Sequence, residues 1–183
     1  MNLDELTRVE NESIRAFVDS CSEHLTGRVL DYGCGARPYQ SIIEAAGGDY
    51  WGHDDPTYPG ASAYVKDQQR MGSVYYGSWN PLEEASAYDA ILCTQVIEYA
   101  YWRGLGGFLF DFKEGLKDGG YLVMTGPTNW PEVEVTDRVR FTLEGIAKEV
   151  RDAGFEVIRL ESRWSIPFDG WEMSMGWGCI CRA

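Results

Sequence analysis

Gly33 and Gly35, separated by one residue, stand directly behind a short apolar run, Arg28-Val29-Leu30-Asp31-Tyr32. Ahead of them lies a helical stretch, Pro38-Tyr39-Gln40-Ser41-Ile42-Ile43-Glu44-Ala45-Ala46, closed by Gly47-Gly48. A strand that passes through a glycine loop into a helix aims backbone N–H groups and a helix N-terminus at a ligand, and glycines let that backbone approach closely. The chemistry this supports is recognition of a nucleotide-like cofactor. A dinucleotide fingerprint would carry a third glycine three residues after Gly35, where this chain has Pro38. A long pyrophosphate would meet a side chain there, which argues against nicotinamide or flavin.

Other residue types narrow the chemistry by exclusion. Five cysteines (21, 34, 93, 179 and 181) form no Cys-x-x-Cys pair of the kind zinc ribbons and thioredoxin-like sites need. Free thiols are expected, and no metal. Cys179 and Cys181 would face the same way on a strand, which points to packing. The formal net charge is -13. Residues 1–137 hold 9 Lys/Arg against 22 Asp/Glu, and residues 138–183 hold 7 against 7. Because nonspecific nucleic-acid affinity rests on neutralising phosphates, DNA or bulk RNA is a poor partner for this chain.

The elements that must position the loop follow from periodicity. Apolar Leu6, Val9, Phe17, Val18 and Cys21 sit among charged residues in 4–24, which suits one or more helices with a buried stripe ending at Thr26-Gly27. Residues 28–32 read as the first strand and Asp49-Tyr50-Trp51-Gly52-His53 as the second. The helix between them has Pro38 at its first position, where the missing N–H costs nothing. Ala63-Tyr64-Val65 and Ser73-Val74-Tyr75-Tyr76 are both open as the third strand. Tyr88-Asp89-Ala90-Ile91-Leu92-Cys93 is nearly all apolar, as expected where helices cover both faces of a sheet. A helix over 108–116 stops at Lys117-Asp118-Gly119-Gly120, and Tyr121-Leu122-Val123-Met124-Thr125 forms the fifth strand. Thr142 can cap a helix through Ala153 with Gly154 behind it. Residues 155–160 and 178–182 supply the last strands.

Five stretches, in order and over roughly residues 28–160, resemble the motifs of class I S-adenosylmethionine-dependent methyltransferases, in the branch acting on small molecules and sugars. They are Val29-Leu30-Asp31-Tyr32-Gly33-Cys34-Gly35, then Trp51-Gly52-His53-Asp54, then Tyr88 to Tyr99. Leu116-Lys117-Asp118-Gly119-Gly120-Tyr121-Leu122 and Ala153-Gly154-Phe155-Glu156-Val157 complete the set. The resemblance implies a doubly wound α/β fold with a seven-stranded, mostly parallel sheet, an antiparallel last strand and helices on both faces. It also implies S-adenosyl-L-methionine as cofactor and S-adenosyl-L-homocysteine as product.

Onto that resemblance the site residues map one by one. Gly33 and Gly35 border the methionine part, Tyr32 beside them is a further cofactor-binding residue, and Asp31 accepts from the ammonium group, directly or through water. Asp54 accepts from the ribose hydroxyls, with Asp55 as the neighbouring alternative; a turn or cap role beside Pro56 is the structural reading. Asp67 is preferred at the adenine if Tyr64-Val65 is the third strand, and Ser78 or Trp79 if Val74-Tyr75-Tyr76 is. Gln95 and Val96 flank the cofactor after the fourth strand. Where relatives often show His this chain has Tyr99, which weakens any claim to a histidine base there.

Methyl transfer needs proximity, alignment and a place for the proton of a hydroxyl acceptor. His53, Glu98 and Asp137 are the candidate bases; His24 reads as surface or packing. Tyr99, Trp130 and Arg140 are candidates for the substrate side, with Trp164, Phe168 and Trp171 as further lining. The expectation is one domain over 1–183, with an N-terminal helical segment (1–27), a cofactor half (28–125) and a substrate half (126–183). No stretch is apolar enough for a signal peptide or membrane span, so a cytoplasmic enzyme with a small-molecule acceptor is expected, of no stated oligomeric state. Two rivals remain, a methyltransferase for protein or structured RNA using Arg138, Arg140 and Arg163, and a non-catalytic S-adenosylmethionine-binding partner subunit.

Overall fold

In a computed structural model of the chain, the described residues are 2–55, 70–71, 74–76, 82, 84–99, 104–130 and 139–183, with backbone alone at 70–71 and 74–76. Helix α1 (Leu3–Ser20) begins at Asn2, whose side chain accepts from the Glu5 N–H at 2.9 Å, with Asp4 and Glu5 favourably placed in the first turn. After a short turn at Ser22–His24 come β1 (Gly27–Tyr32), α2 (Gln40–Ala45) and β2 (Gly48–Asp54). Then follow β3 (Arg70–Met71), β4 (Val74–Tyr76) and β5 (Tyr88–Thr94). The second half runs α3 (Leu105–Gly115), β6 (Leu116–Pro127), α4 (Leu143–Asp152), β7 (Glu156–Phe168) and β8 (Trp171–Arg182).

Among the described residues all strands join one sheet, in the order β3-β4-β2-β1-β5-β6-β8-β7. From β4 through β6 every pairing is parallel, and β8 lies antiparallel between β6 and β7. The expected seven strands and antiparallel last strand are present. An eighth is added by the two-residue β3, antiparallel to β4 at the edge. The third parallel strand is Val74–Tyr76, pairing Gly52 with Val74, which decides between the two sequence candidates.

Alternation along the strands sends side chains to two cores. Leu30, Ile91, Cys93, Leu122, Met124, Trp177, Cys179 and Cys181 meet Phe108, Leu109 and Phe112 of α3 and Ile146 and Val150 of α4. Val29, Ala90, Leu92, Val123 and Ile180 meet Ile14, Phe17 and Val18 of α1 and Ile42 and Ile43 of α2. Helices therefore cover both faces, and the apolar run at β5 is explained by burial on both sides. Cys179 and Cys181 share a face as expected, reduced and buried with sulfurs 3.1 Å apart.

Three local expectations shift. Pro38 lies in a turn and α2 starts at Gln40, two residues later than the spacing suggested. Leu6 and Val9 are only half-buried, while Glu10 is buried in their place. Strands β7 and β8 are longer than 155–160 and 178–182, because Asp169 (φ 46°) and Gly170 (φ 81°) join them in a two-residue hairpin turn with both residues left-handed.

Candidate functional site

The strand order reverses between β1 and β5, so loops leaving the carboxyl ends of these two strands diverge and leave a crevice. Open α/β sheets hold ligands at such a point. The glycine loop leaves β1 there, and Gln95-Val96 leaves β5 beside it. Gly33 has φ +77°, and a Cβ there would fall 2.3 Å from Val96 Cγ2, so only glycine allows the two loops to touch. At Gly35 a Cβ would meet nothing within 4 Å. The loop is pinned by β2: the Gly33 and Cys34 N–H groups donate to the His53 carbonyl at 2.8 and 3.0 Å, and the Gly35 N–H donates to Asp54 Oδ2 at 2.8 Å.

Two carboxylates face this cradle. Asp31 is 1% exposed. The Tyr50 hydroxyl donates to its Oδ2 at 2.8 Å, while Oδ1 has no hydrogen-bond partner among the described residues. Desolvation pushes its pKa up to about 7, opposed by the Tyr50 hydrogen bond and reinforced by the nearby Asp54 charge. A buried carboxyl with one oxygen unpartnered suits a cationic group. Asp54 is half-buried, its Oδ1 accepting from the Asp55 N–H at 2.8 Å. Burial raises its pKa, and the backbone donors of Gly35 and Asp55 offset part of this. Each oxygen retains capacity to accept a further hydrogen bond.

Gln95 adopts φ +54° directly after β5, its N–H donating to the Thr125 carbonyl at 3.1 Å. Val96 touches the glycine loop as described, and Asp55 is half-buried at the end of β2. The Tyr32 ring lies on the α3 face, 5.3 Å from His53 and edge-on to Phe108 and Phe112, away from Asp31. Asp31, Gly33, Gly35, Asp54, Asp55, Gln95 and Val96 thus come together at the carboxyl ends of β1, β2 and β5. Asp67 lies outside the described residues, as do Ser78 and Trp79; the strand assignment that favoured Asp67 is replaced by Val74–Tyr76.

Of the candidate bases, His53 and Glu98 are buried, at 6% and 3% exposure, and Asp137 lies outside the described residues. Tyr99 is half-buried in the turn after Val96. Arg140 donates to the Trp130 carbonyl at 3.3 Å, bringing those two together, and the Trp130 ring stands edge-on to Trp164 with centroids 6.4 Å apart. Phe168 and Trp171 pair across the hairpin tip at 63% and 79% exposure. The basic surface imagined from Arg138, Arg140 and Arg163 loses Arg163, whose side chain is fully buried against Glu10; Arg138 lies outside the described residues. Glu10 was missed in the sequence because a charge in an amphipathic helix reads as its solvent face.

The fold is shared with solved S-adenosylmethionine-dependent methyltransferases. A methyltransferase of this kind from Archaeoglobus fulgidus shares 14% identity with this chain, with TM-score 0.72 and full coverage of both chains. The 1,6-didemethyltoxoflavin-N1-methyltransferase of Burkholderia thailandensis, solved with 1,6-didemethyltoxoflavin and S-adenosylhomocysteine, shares 17% identity. Its TM-score is 0.67, over 93% of this chain and 77% of that one. The [4+2]-cyclase SpnF matches at 16% identity and TM-score 0.61, over 90% and 80%. No protein-family model matches the sequence, and no curated protein matches it significantly. At these identities the likeness establishes the fold.

Proposed function

We infer that this chain is a single-domain methyltransferase that binds S-adenosylmethionine in the Gly33–Gly35 crevice and methylates a small molecule, such as a sugar, a glycolipid precursor or a secondary metabolite. The observation that carries the reading is the buried Asp31 carboxyl with its unpartnered Oδ1 beside the glycine loop. When bound, the cofactor supplies a methyl group on a cationic sulfur, activated for in-line displacement.

The protein's share is binding, alignment and proton handling. Asp31 balances the ammonium charge, Asp54 accepts from the ribose diol while holding the Gly35 N–H, and Gln95 and Val96 close the other side. Trp130, Tyr99 and Arg140 border the acceptor. His53, Glu98 and Asp137 are the groups to test as a base for a hydroxyl acceptor. A small acceptor is supported by the toxoflavin-type neighbour and by the acidity of the chain. Among the described residues no helix is long and apolar enough to cross a membrane, and no cluster of His, Cys, Asp or Glu is arranged for a metal.

A second reading is a non-catalytic S-adenosylmethionine-binding partner subunit, supported by the match to a [4+2]-cyclase, since the fold is then not confined to methyl transfer. Isothermal titration with S-adenosylmethionine and S-adenosylhomocysteine tests the premise common to both readings, and absence of binding to either sinks it. A metabolite screen scored by S-adenosylhomocysteine release then separates catalysis from binding alone.

A further inference from the structure

The first half of α1 carries little apolar burial, with Leu6 and Val9 half-buried, and its inward position is the charged Glu10 at 6% exposure. A carboxylate there is unfavourable unless fully partnered. Its partners come from β7 and from the turn after β5. Oε1 accepts from the Arg163 guanidinium of β7 in a short contact and from Gln95 Nε2 at 3.3 Å, and Oε2 accepts from the Trp164 indole N–H in another short contact. Arg163 donates further to Ser13 Oγ of α1 and to the Trp177 carbonyl of β8. Its guanidinium lies over Gly176, where a Cβ would fall 2.1 Å from Nη2, so β8 carries glycine at the point of crossing.

Resting on the cofactor reading above, we propose that Glu10, held by Arg163, is a positioning residue for the cofactor site: it fixes the Gln95 side chain, which stands at the edge of the crevice on a left-handed backbone. Gln95 Nε2 also reaches Thr125 Oγ1 at 3.4 Å, so the amide is held from two sides. A left-handed non-glycine residue persists only where its surroundings over-determine it. The charges of Glu10 and Arg163 also reach Tyr39, which senses Asp31, so the network adjoins the cradle on the Asp31 side. A purely structural role does not call for this device, since apolar residues of similar volume generally hold a helix on a sheet as well as a buried ion pair does, or better.

That comparison supplies the test. The double variant Glu10→Met/Arg163→Met removes both charges together, so its melting temperature should stay within about 5 °C of wild type or rise. S-adenosylhomocysteine, titrated calorimetrically, should nevertheless bind at least about fivefold more weakly, because Gln95 has lost its anchor. Gln95→Asn, whose shorter amide cannot span to Glu10 and whose backbone tolerates the left-handed region, should show the same loss with the ion pair intact. A folded double variant that binds within about twofold of wild type overturns the proposal. If the double variant does not fold, Gln95→Asn decides: the loss supports the proposal and wild-type affinity overturns it. Wild type that binds neither S-adenosylmethionine nor S-adenosylhomocysteine overturns the cofactor reading itself, and the inference with it.

Discussion

Replacing Asp31 by Asn should make the ligand-free protein more stable and the ligand-bound protein weaker, and the pH dependence of the first effect is calculable. In the folded protein Asp31 titrates at about 7, against an ordinary carboxyl value of 3.8. Between pH 4 and pH 7 the folded state therefore holds a proton that the unfolded state has released. Stability falls as pH rises through that window and levels off above it. Some three units at about 1.4 kcal/mol each is about 4 kcal/mol of destabilisation at pH 8. Asn keeps the Tyr50 hydrogen bond but leaves a buried N–H unpartnered, which costs about 1–3 kcal/mol. The net gain of Asp31→Asn at pH 8 is about 1–3 kcal/mol, or roughly 2–10 °C in melting temperature for a chain of this size. At pH 5, where the wild-type carboxyl is already protonated, the gain should vanish or reverse. The assay is thermal unfolding of both proteins without ligand from pH 5 to pH 8; other titrating groups are common to both and cancel in the difference. Parallel profiles would refute the reasoning. S-adenosylhomocysteine should meanwhile bind roughly 10- to 150-fold more weakly to the variant, the worth of one charge-assisted hydrogen bond.

Further outcomes follow from single contacts. Asp54→Ala should weaken S-adenosylmethionine binding by at least about tenfold, about 1.4 kcal/mol, because it removes both the ribose acceptor and the tether of the Gly35 N–H; an unchanged dissociation constant by titration would count against the ribose assignment. Gly33→Ala should abolish measurable binding and lower the melting temperature, and adding Val96→Ala should relieve the clash but not the strain of φ +77°, so recovery is expected to be partial. Full recovery in that double variant would show that the backbone conformation matters little. Thr142→Ala removes the cap that accepts from the Gly145 N–H at 3.0 Å and should cost about 1 kcal/mol, seen as a drop of about 2–4 °C with cofactor affinity retained.

The parts of the site legible from sequence are those governed by neighbours along the chain. Gly33, Gly35 and Asp31 announce themselves within seven residues, and the Thr142 cap within four. The third strand was ambiguous because its paired length is three residues, too short for a period to show. The β7–β8 hairpin had its local signal in Asp169-Gly170, a dipeptide suited to two left-handed positions, and the strands on either side were read too short without it. The Glu10–Arg163 pair had none. Its members stand 153 residues apart, and only the folded sheet makes one of them an inward-facing charge.

The placement of β8 bears on how the protein is made. Its residues follow β7 in the chain, yet they lie inside the sheet between β6 and β7, with Trp177, Cys179 and Cys181 wholly buried. Until Trp171–Arg182 has emerged, the earlier strands expose an unpaired β6 edge and half a core. Closing the sheet must therefore wait for this segment, and a chain stalled before it would present that β6 edge as an aggregation-prone surface.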